Sequence, residues 1–159
     1  MKTILKFVTL AVFAAFASAA LLAQSNPLLG TWKLNTAKSK SDPVPVTKSL
    51  TRTVEETSDA TKYTMKGENA DGSPISYGFT VKFDGKDYPA TGTMPGGADS
   101  ISIKKVDANH YEATLKKAGK EVGISKLEIS KDGKVATLTS KGVSADSKPT
   151  HAISTFDRQ

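Results

Sequence analysis

Residues 75–83, Ile-Ser-Tyr-Gly-Phe-Thr-Val-Lys-Phe, constrain the fold more tightly than any other segment. Ile75, Tyr77, Phe79, Val81 and Phe83 fall at every second position, with small or polar residues between them. Side chains alternate between the two faces of an extended chain, so this spacing describes a half-buried strand and not a helix. Asp84-Gly85 follows at once and predicts a two-residue hairpin turn, since glycine accepts the positive φ that such turns need. Asp71-Gly72 and Asp132-Gly133 carry the same signal.

The rest of the chain after Asn35 repeats this grammar, and no segment sustains a helical period. Strands are expected near 30–35, 48–57, 61–68, 74–83, 86–91, 99–106, 109–117, 120–130, 134–140 and 149–157. One inward face would carry Trp32, Leu34, Leu50, Val54, Tyr63, Met65, Ile101, Ile103, Tyr111, Ala113 and Leu115. In 120–130 the apolar phase slips from Val122 and Ile124 to Leu127 and Ile129, which predicts a β-bulge. Residues 36–47, with Pro43 and Pro45, read as a loop, as do 92–98 and 141–148. Met94-Pro95-Gly96-Gly97 in the second of these is either an ordinary connection or a lid over a barrel mouth. Many short strands joined by tight turns must hide their edges, and closure does so most completely. The expected fold is therefore all-β, an antiparallel up-and-down β-barrel of about eight to ten strands. A β-sandwich is the alternative, but Greek keys need more long crossovers than these three.

The first residues belong to targeting. Lys2 and Lys6 precede an apolar run at 7–23, and Ala17-Ser18-Ala19 offers the small-x-small pattern of a signal-peptidase site, with Leu21-Leu22-Ala23 as a second choice. Residues 1–23 are thus expected to be a signal peptide and 24–159 a single barrel domain, delivered to the periplasm or secreted. An uncleaved anchor is the rival reading, but 17 residues rich in Ala are at the lower limit of a bilayer span. No membrane span is expected after cleavage. The domain has no Cys and must hold together by packing and backbone pairing alone.

Composition removes several function classes. The formal charge is +6, falling to +4 without Lys2 and Lys6. Of 22 basic residues only Arg52 and Arg158 are Arg, and the lysines are scattered without interleaved aromatics, so no nucleic-acid partner is expected. His110 and His151 stand 41 positions apart and outside any zinc spacing, and with no Cys neither a metal nor another cofactor is expected. His110 is out of phase with Tyr111, Ala113 and Leu115 and should face outward. No Gly-x-Ser-x-Gly elbow occurs. Glu55 and Glu56 point to opposite faces of one strand and cannot act as an acid–base couple. The calcium-loop-like run from Gly67 lacks acidic first and twelfth ligands. No enzymatic activity is expected.

Pro27-Leu28-Leu29-Gly30-Thr31-Trp32 resembles the start of lipocalins and related calycin barrels. The resemblance implies a turn closing the barrel floor, a Gly-x-Trp that opens the first strand, and a Trp packed beneath an Arg from the end of the last strand. Arg158 is placed for that role. The chain is also similar to small exported bacterial proteins that open with Gly-Thr-Trp-Lys-Leu-Asn and carry Asp-Gly-Lys-x-Tyr-Pro, here at 84–89. That likeness implies a fold and no particular activity.

Arg52 is the residue out of place. It lies between Leu50 and Val54 on the same strand face, so the pleat aims it inward. A buried guanidinium needs a partner: an acidic ligand, Glu56, or water at the rim. The expected function is non-catalytic binding of a small apolar or amphipathic ligand by a monomeric barrel, with Arg52, Tyr63, Tyr77, Phe79 and Tyr111 as candidate binding residues. A barrel filled by its own side chains, acting on a macromolecular partner, is the alternative. On the export reading, N-terminal sequencing of protein from its native source should return Ala20 or Gln24; a soluble species beginning at Met1 would overturn it.

Overall fold

The computed structural model describes residues 26–144 and 146–159. The expected signal peptide lies outside the described residues. Eleven strands form one antiparallel sheet: β1 (Gly30–Leu34), β2 (Lys40–Asp42), β3 (Ser49–Glu56), β4 (Thr61–Glu68), β5 (Pro74–Val81), β6 (Asp84–Gly92), β7 (Ser100–Lys105), β8 (His110–Lys117), β9 (Lys120–Ile129), β10 (Val135–Val143) and β11 (Pro149–Arg158). From β3 to β11 each strand pairs with the next, and β1 pairs with both β3 and β11, which closes the sheet. β11 holds β1 along its C-terminal part and β2 along its N-terminal part, so these two short strands act as one interrupted strand in a ten-position barrel. Helix among the described residues is confined to 3-10 turns at Thr36–Lys38 and Pro95–Gly97. The up-and-down barrel is thus present, and the sandwich is not.

The floor is built around Trp32, 2% exposed. Its indole Nε1 donates to the Leu28 carbonyl at 2.9 Å, within the turn at residues 26–29. Trp32 is opposite Arg158 in the β1–β11 register, and the guanidinium carbon sits 4.6 Å from the indole centroid. Arg158 Nη2 also donates to the carbonyls of Pro27 and Leu29 at 2.6 and 2.7 Å. One side chain therefore satisfies the turn, covers the indole and joins the two ends of the domain. Leu28, Val54, Val81, Ile129, Ala136 and Phe156 fill this end of the barrel.

Several expectations need correction. Residues 36–47 are not a plain loop. Asn35 Oδ1 accepts from Lys38 N at 3.1 Å, and the Ser39 hydroxyl accepts from Thr155 N at 3.0 Å. The first fixes the 3-10 turn, and the second, with Asn35 Nδ2 donating to Asp157 Oδ2 at 2.7 Å, stitches this segment onto β11, a pairing that the prolines obscure. The β5–β6 register, with Phe79 opposite Ala90, centres the reversal on Asp84-Gly85 as expected, but the pairing stops there, so the hairpin is wide rather than a two-residue turn, and Asp84 already pairs with Lys104 of β7. Gly85 takes φ 74 and Asp84 Oδ1 accepts from Lys86 N at 3.0 Å, beside a register shift against β7. Phe83 leaves the strand but still packs on Tyr111, with ring centroids 5.4 Å apart. β10 runs on to Val143, shortening the last connection.

The bulge expected in β9 is present. Leu115 pairs with Gly123 and Lys116 with Glu121, leaving Val122 as the extra residue. Beyond it Ser125, Leu127 and Ile129 face inward, so Ile124, expected inside, faces out and is 40% exposed. His110 is exposed, as expected, with Nδ1 2.8 Å from Asp107.

Trp32→Ala should cost about 3–5 kcal/mol, as truncation of a fully buried aromatic does, and Arg158→Ala a smaller amount on the order of 1 kcal/mol through the lost cation–π contact. Denaturant unfolding followed by far-UV circular dichroism checks both, since Trp32→Ala removes the single Trp; wild-type native emission typical of solvent-exposed indole would contradict the floor.

Candidate functional site: a small cavity under a strap

Above the floor the inward side chains shrink, and a cavity of about 160 Å³ remains. Its wall is mostly apolar: Leu50, Met65, Ile101, Leu115, Leu127 and Leu138 contribute, together with Phe156 from below. Arg52, Tyr63, Tyr77, Phe79 and Tyr111, the candidate binding residues, all line it. The sheet register brings them together. Arg52 on β3 is opposite Met65 on β4, which is opposite Tyr77 on β5; one row lower, Tyr63 is opposite Phe79. Tyr63 and Phe79 stack with ring centroids 4.8 Å apart.

Arg52 is the only cation on this wall. Its guanidinium carbon lies 5.0 Å above the Tyr63 ring centroid. Its Nε is fully buried and has no hydrogen-bond partner among the described residues. Glu56 is exposed at the strand end and makes no ion pair with it among the described residues. The π face offers some compensation, but a ring cannot accept a directed N–H bond as a carboxylate can. The polar remainder of the wall is Ser125 and Ser140, opposite one another on β9 and β10, and at its edge Glu112, an exposed residue whose carboxylate pairs with Lys126 at 3.0 Å.

The tyrosines are tuned in one direction. Burial pushes the Tyr77 phenol up to about 12, against the opposing pull of the Arg52 charge. Burial likewise raises Tyr63, again opposed by Arg52. Tyr111 is pushed up to about 12, first by burial and then by Tyr63 and Asp107. Near neutral pH all three are neutral phenols. The Tyr111 hydroxyl is aimed at the Ala108 carbonyl, 3.5 Å away, so this residue offers its ring to the cavity rather than its hydroxyl.

The roof comes from residues 92–99, in the connection that joins β6 to β7. Met94 is 3% exposed and, with Pro95, lines the cavity. Gly96 and Gly97 both take φ 66, a left-handed pair that turns the chain back across the mouth. At Gly96 a Cβ would lie 3.1 Å from the Val143 carbonyl oxygen and 3.5 Å from Val122 Cγ2. The connection thus reaches over to β9 and β10 and forms a strap. The Met-Pro-Gly-Gly motif hinted at a lid, but its inward Met94 was missing from the candidate site residues. Only an apolar residue isolated among glycines marked it.

No family model matches the sequence, and no curated protein matches it. Among solved structures, Rv2717c from M. tuberculosis superimposes with a TM-score of 0.50 at 18% identity, covering 84% of this chain and 93% of that one. Zebrafish ileal bile acid-binding protein complexed with cholic acid follows at a TM-score of 0.49 and 14% identity, over 84% of this chain and 99% of that one. The fold is a closed antiparallel barrel, and Rv2717c shares it. At such identities the likeness concerns the fold alone. The siderocalin Ex-FABP is more distant, with a TM-score of 0.38 at 10% identity, over 84% of this chain and 71% of that one. What distinguishes this barrel must be sought in its own cavity: a buried guanidinium with a free Nε, aromatic walls and a strap.

The raised phenols make a pH prediction. A tyrosine whose folded pKa exceeds its unfolded value of about 10 contributes no pH-dependent loss below that value, and costs stability as pH rises from about 10 toward the folded value. For Tyr77 and Tyr111 that window closes at about 12. Stability should therefore fall between about pH 10 and 12, while the folded protein's phenolate absorbance lags behind that of the unfolded chain. Complete tyrosine ionisation near pH 10 in the folded state would contradict this burial.

Proposed function

We propose that this protein is an exported, monomeric, non-catalytic barrel that binds a small amphipathic molecule carrying an acidic group. The observation that carries the reading is Arg52, whose buried Nε lacks a partner at the wall of an apolar cavity. Small-molecule sites are typically apolar with a few placed polar groups, and this wall has that composition. The carboxylate would meet the guanidinium, and the Tyr77 phenol, neutral near pH 7, is a candidate second donor. The hydrocarbon part would lie against Tyr63, Phe79 and the aliphatic wall. Arg52 orients the ligand in this reading and performs no chemistry on it.

The test pairs acids with alcohols of the same skeleton, hexanoate with hexanol and benzoate with benzyl alcohol. Calorimetric titration compares wild type with Arg52→Leu. The substitution should weaken the acids by about tenfold or more, the scale of a lost charge-assisted pair, and the alcohols far less. Equal loss for both would reduce Arg52 to a cavity-shaping residue. Absence of binding by wild type would favour a barrel acting through a macromolecular partner.

A further inference from the structure

Resting on that binding reading, we infer that the strap limits the ligand to a one-ring or short-chain acid and that Met94 sets the limit. About 160 Å³ is the scale of a cavity that holds a benzene-sized molecule, roughly 150 Å³, and falls well short of the roughly 300–1,000 Å³ of sites for drug-sized ligands. A long-chain or steroid acid needs the larger space. Upward, beneath the strap, is where the barrel can supply it. Below, Trp32 and Phe156 are buried and the floor is filled. Around the sides the sheet is closed by β1 and β11. Upward, Met94 and Pro95 stand in the way.

The strap is held as well as placed. The backbone amide of Ala90 donates to the Asp99 carbonyl at 2.9 Å, and that of Asp99 to the Lys116 carbonyl at 2.9 Å. Asp99 Oδ2 accepts from Ala118 N at 2.7 Å, tying the end of the strap to the β8–β9 turn. Gly97 N donates to the Met94 carbonyl at 3.0 Å, fixing the turn that carries Met94. Ala98, 5% exposed, packs into the same core. Displacing Met94 therefore uncovers apolar surface and loosens an anchored turn, a penalty that a small ligand avoids. Within the retained volume, the Tyr63–Phe79 stack and the Tyr111 ring present aromatic surface suited to one more ring in offset or edge-on contact. The ligand class is accordingly a compact aromatic acid, or an aliphatic acid of similar bulk.

The experiment is a size series: benzoate, cinnamate, hexanoate, decanoate, palmitate and a steroid carboxylate, titrated calorimetrically into wild type, Met94→Ala and Met94→Leu. Wild type should bind the first three more tightly than palmitate or the steroid by about tenfold or more. Met94→Ala should raise affinity for decanoate by about tenfold relative to benzoate, while the nearly volume-conserving Met94→Leu keeps the wild-type order. Palmitate binding to wild type as tightly as hexanoate would overturn the size limit and leave acid binding standing. An unchanged order in folded Met94→Ala, verified by Trp fluorescence and a thermal melt, would remove Met94 from the role. If no acid bound wild type, the binding reading itself would fall. Should Met94→Ala not fold, the wild-type series decides the size limit alone.

Discussion

The barrel depends on the contact between Trp32 and Arg158 where β1 meets β11. Without that pairing the sheet has two open edges, each a row of unsatisfied amides and carbonyls. Arg158 meets three needs at once: it lies on the indole, it satisfies two carbonyls of the turn before β1, and it belongs to the strand that β1 must find. The indole N–H is satisfied from the same turn, so the largest buried side chain carries no unmet polar atom. Because the floor is packed around this contact, any vacant volume must lie above it. The position of the cavity follows from the seam.

The two halves of the interior divide the work that the sequence left ambiguous. Bulky residues such as Trp32, Val81 and Phe156 fill the lower half. Leu50, Ser125, Leu138 and Ser140, partly buried or smaller, leave the upper half incompletely filled. The barrel is therefore neither solid nor a deep sac. Its single interior cation lies at the boundary between the halves, opposite Trp32 in one register and Met65 in the other.

Much of this was legible from the period-two pattern, because hydrogen-bonded strands with one buried face leave an alternation that survives without any knowledge of the partner. The strands at 61–68 and 74–83 were read nearly to their ends, and the inward placement of Arg52 followed from its neighbours Leu50 and Val54 alone. What failed was decided by tertiary pairing. β2 is only three residues long and exists because Asn35 and Ser39 attach it to β11. Asp84-Gly85 stands at the centre of the β5–β6 reversal, but pairing of Asp84 with β7 and the register shift beside it widen the hairpin beyond two residues. The slip in β9 falls at Val122, before Ile124 rather than after it, so Ile124 is out of phase with Leu127 and Ile129 and faces out. The cavity's volume and Met94's place above it depend on how far a connection reaches, which no local pattern encodes.

The interrupted strand formed by β1 and β2 has a consequence for how the chain reaches this state. From β3 to β11 each strand follows its partner directly in the sequence, so those hairpins close short loops. The β1–β11 seam instead joins Trp32 to Arg158, across nearly the whole domain, and its partner residues are among the last of the chain. Closing so long a loop is slower and costs more chain entropy than forming any hairpin. A nascent or partly emerged chain can assemble the meander but has no Arg158 with which to cover the indole. Until β11 is made, the sheet remains an open ribbon. Arrival of β11 is therefore the event that turns a set of hairpins into a closed barrel.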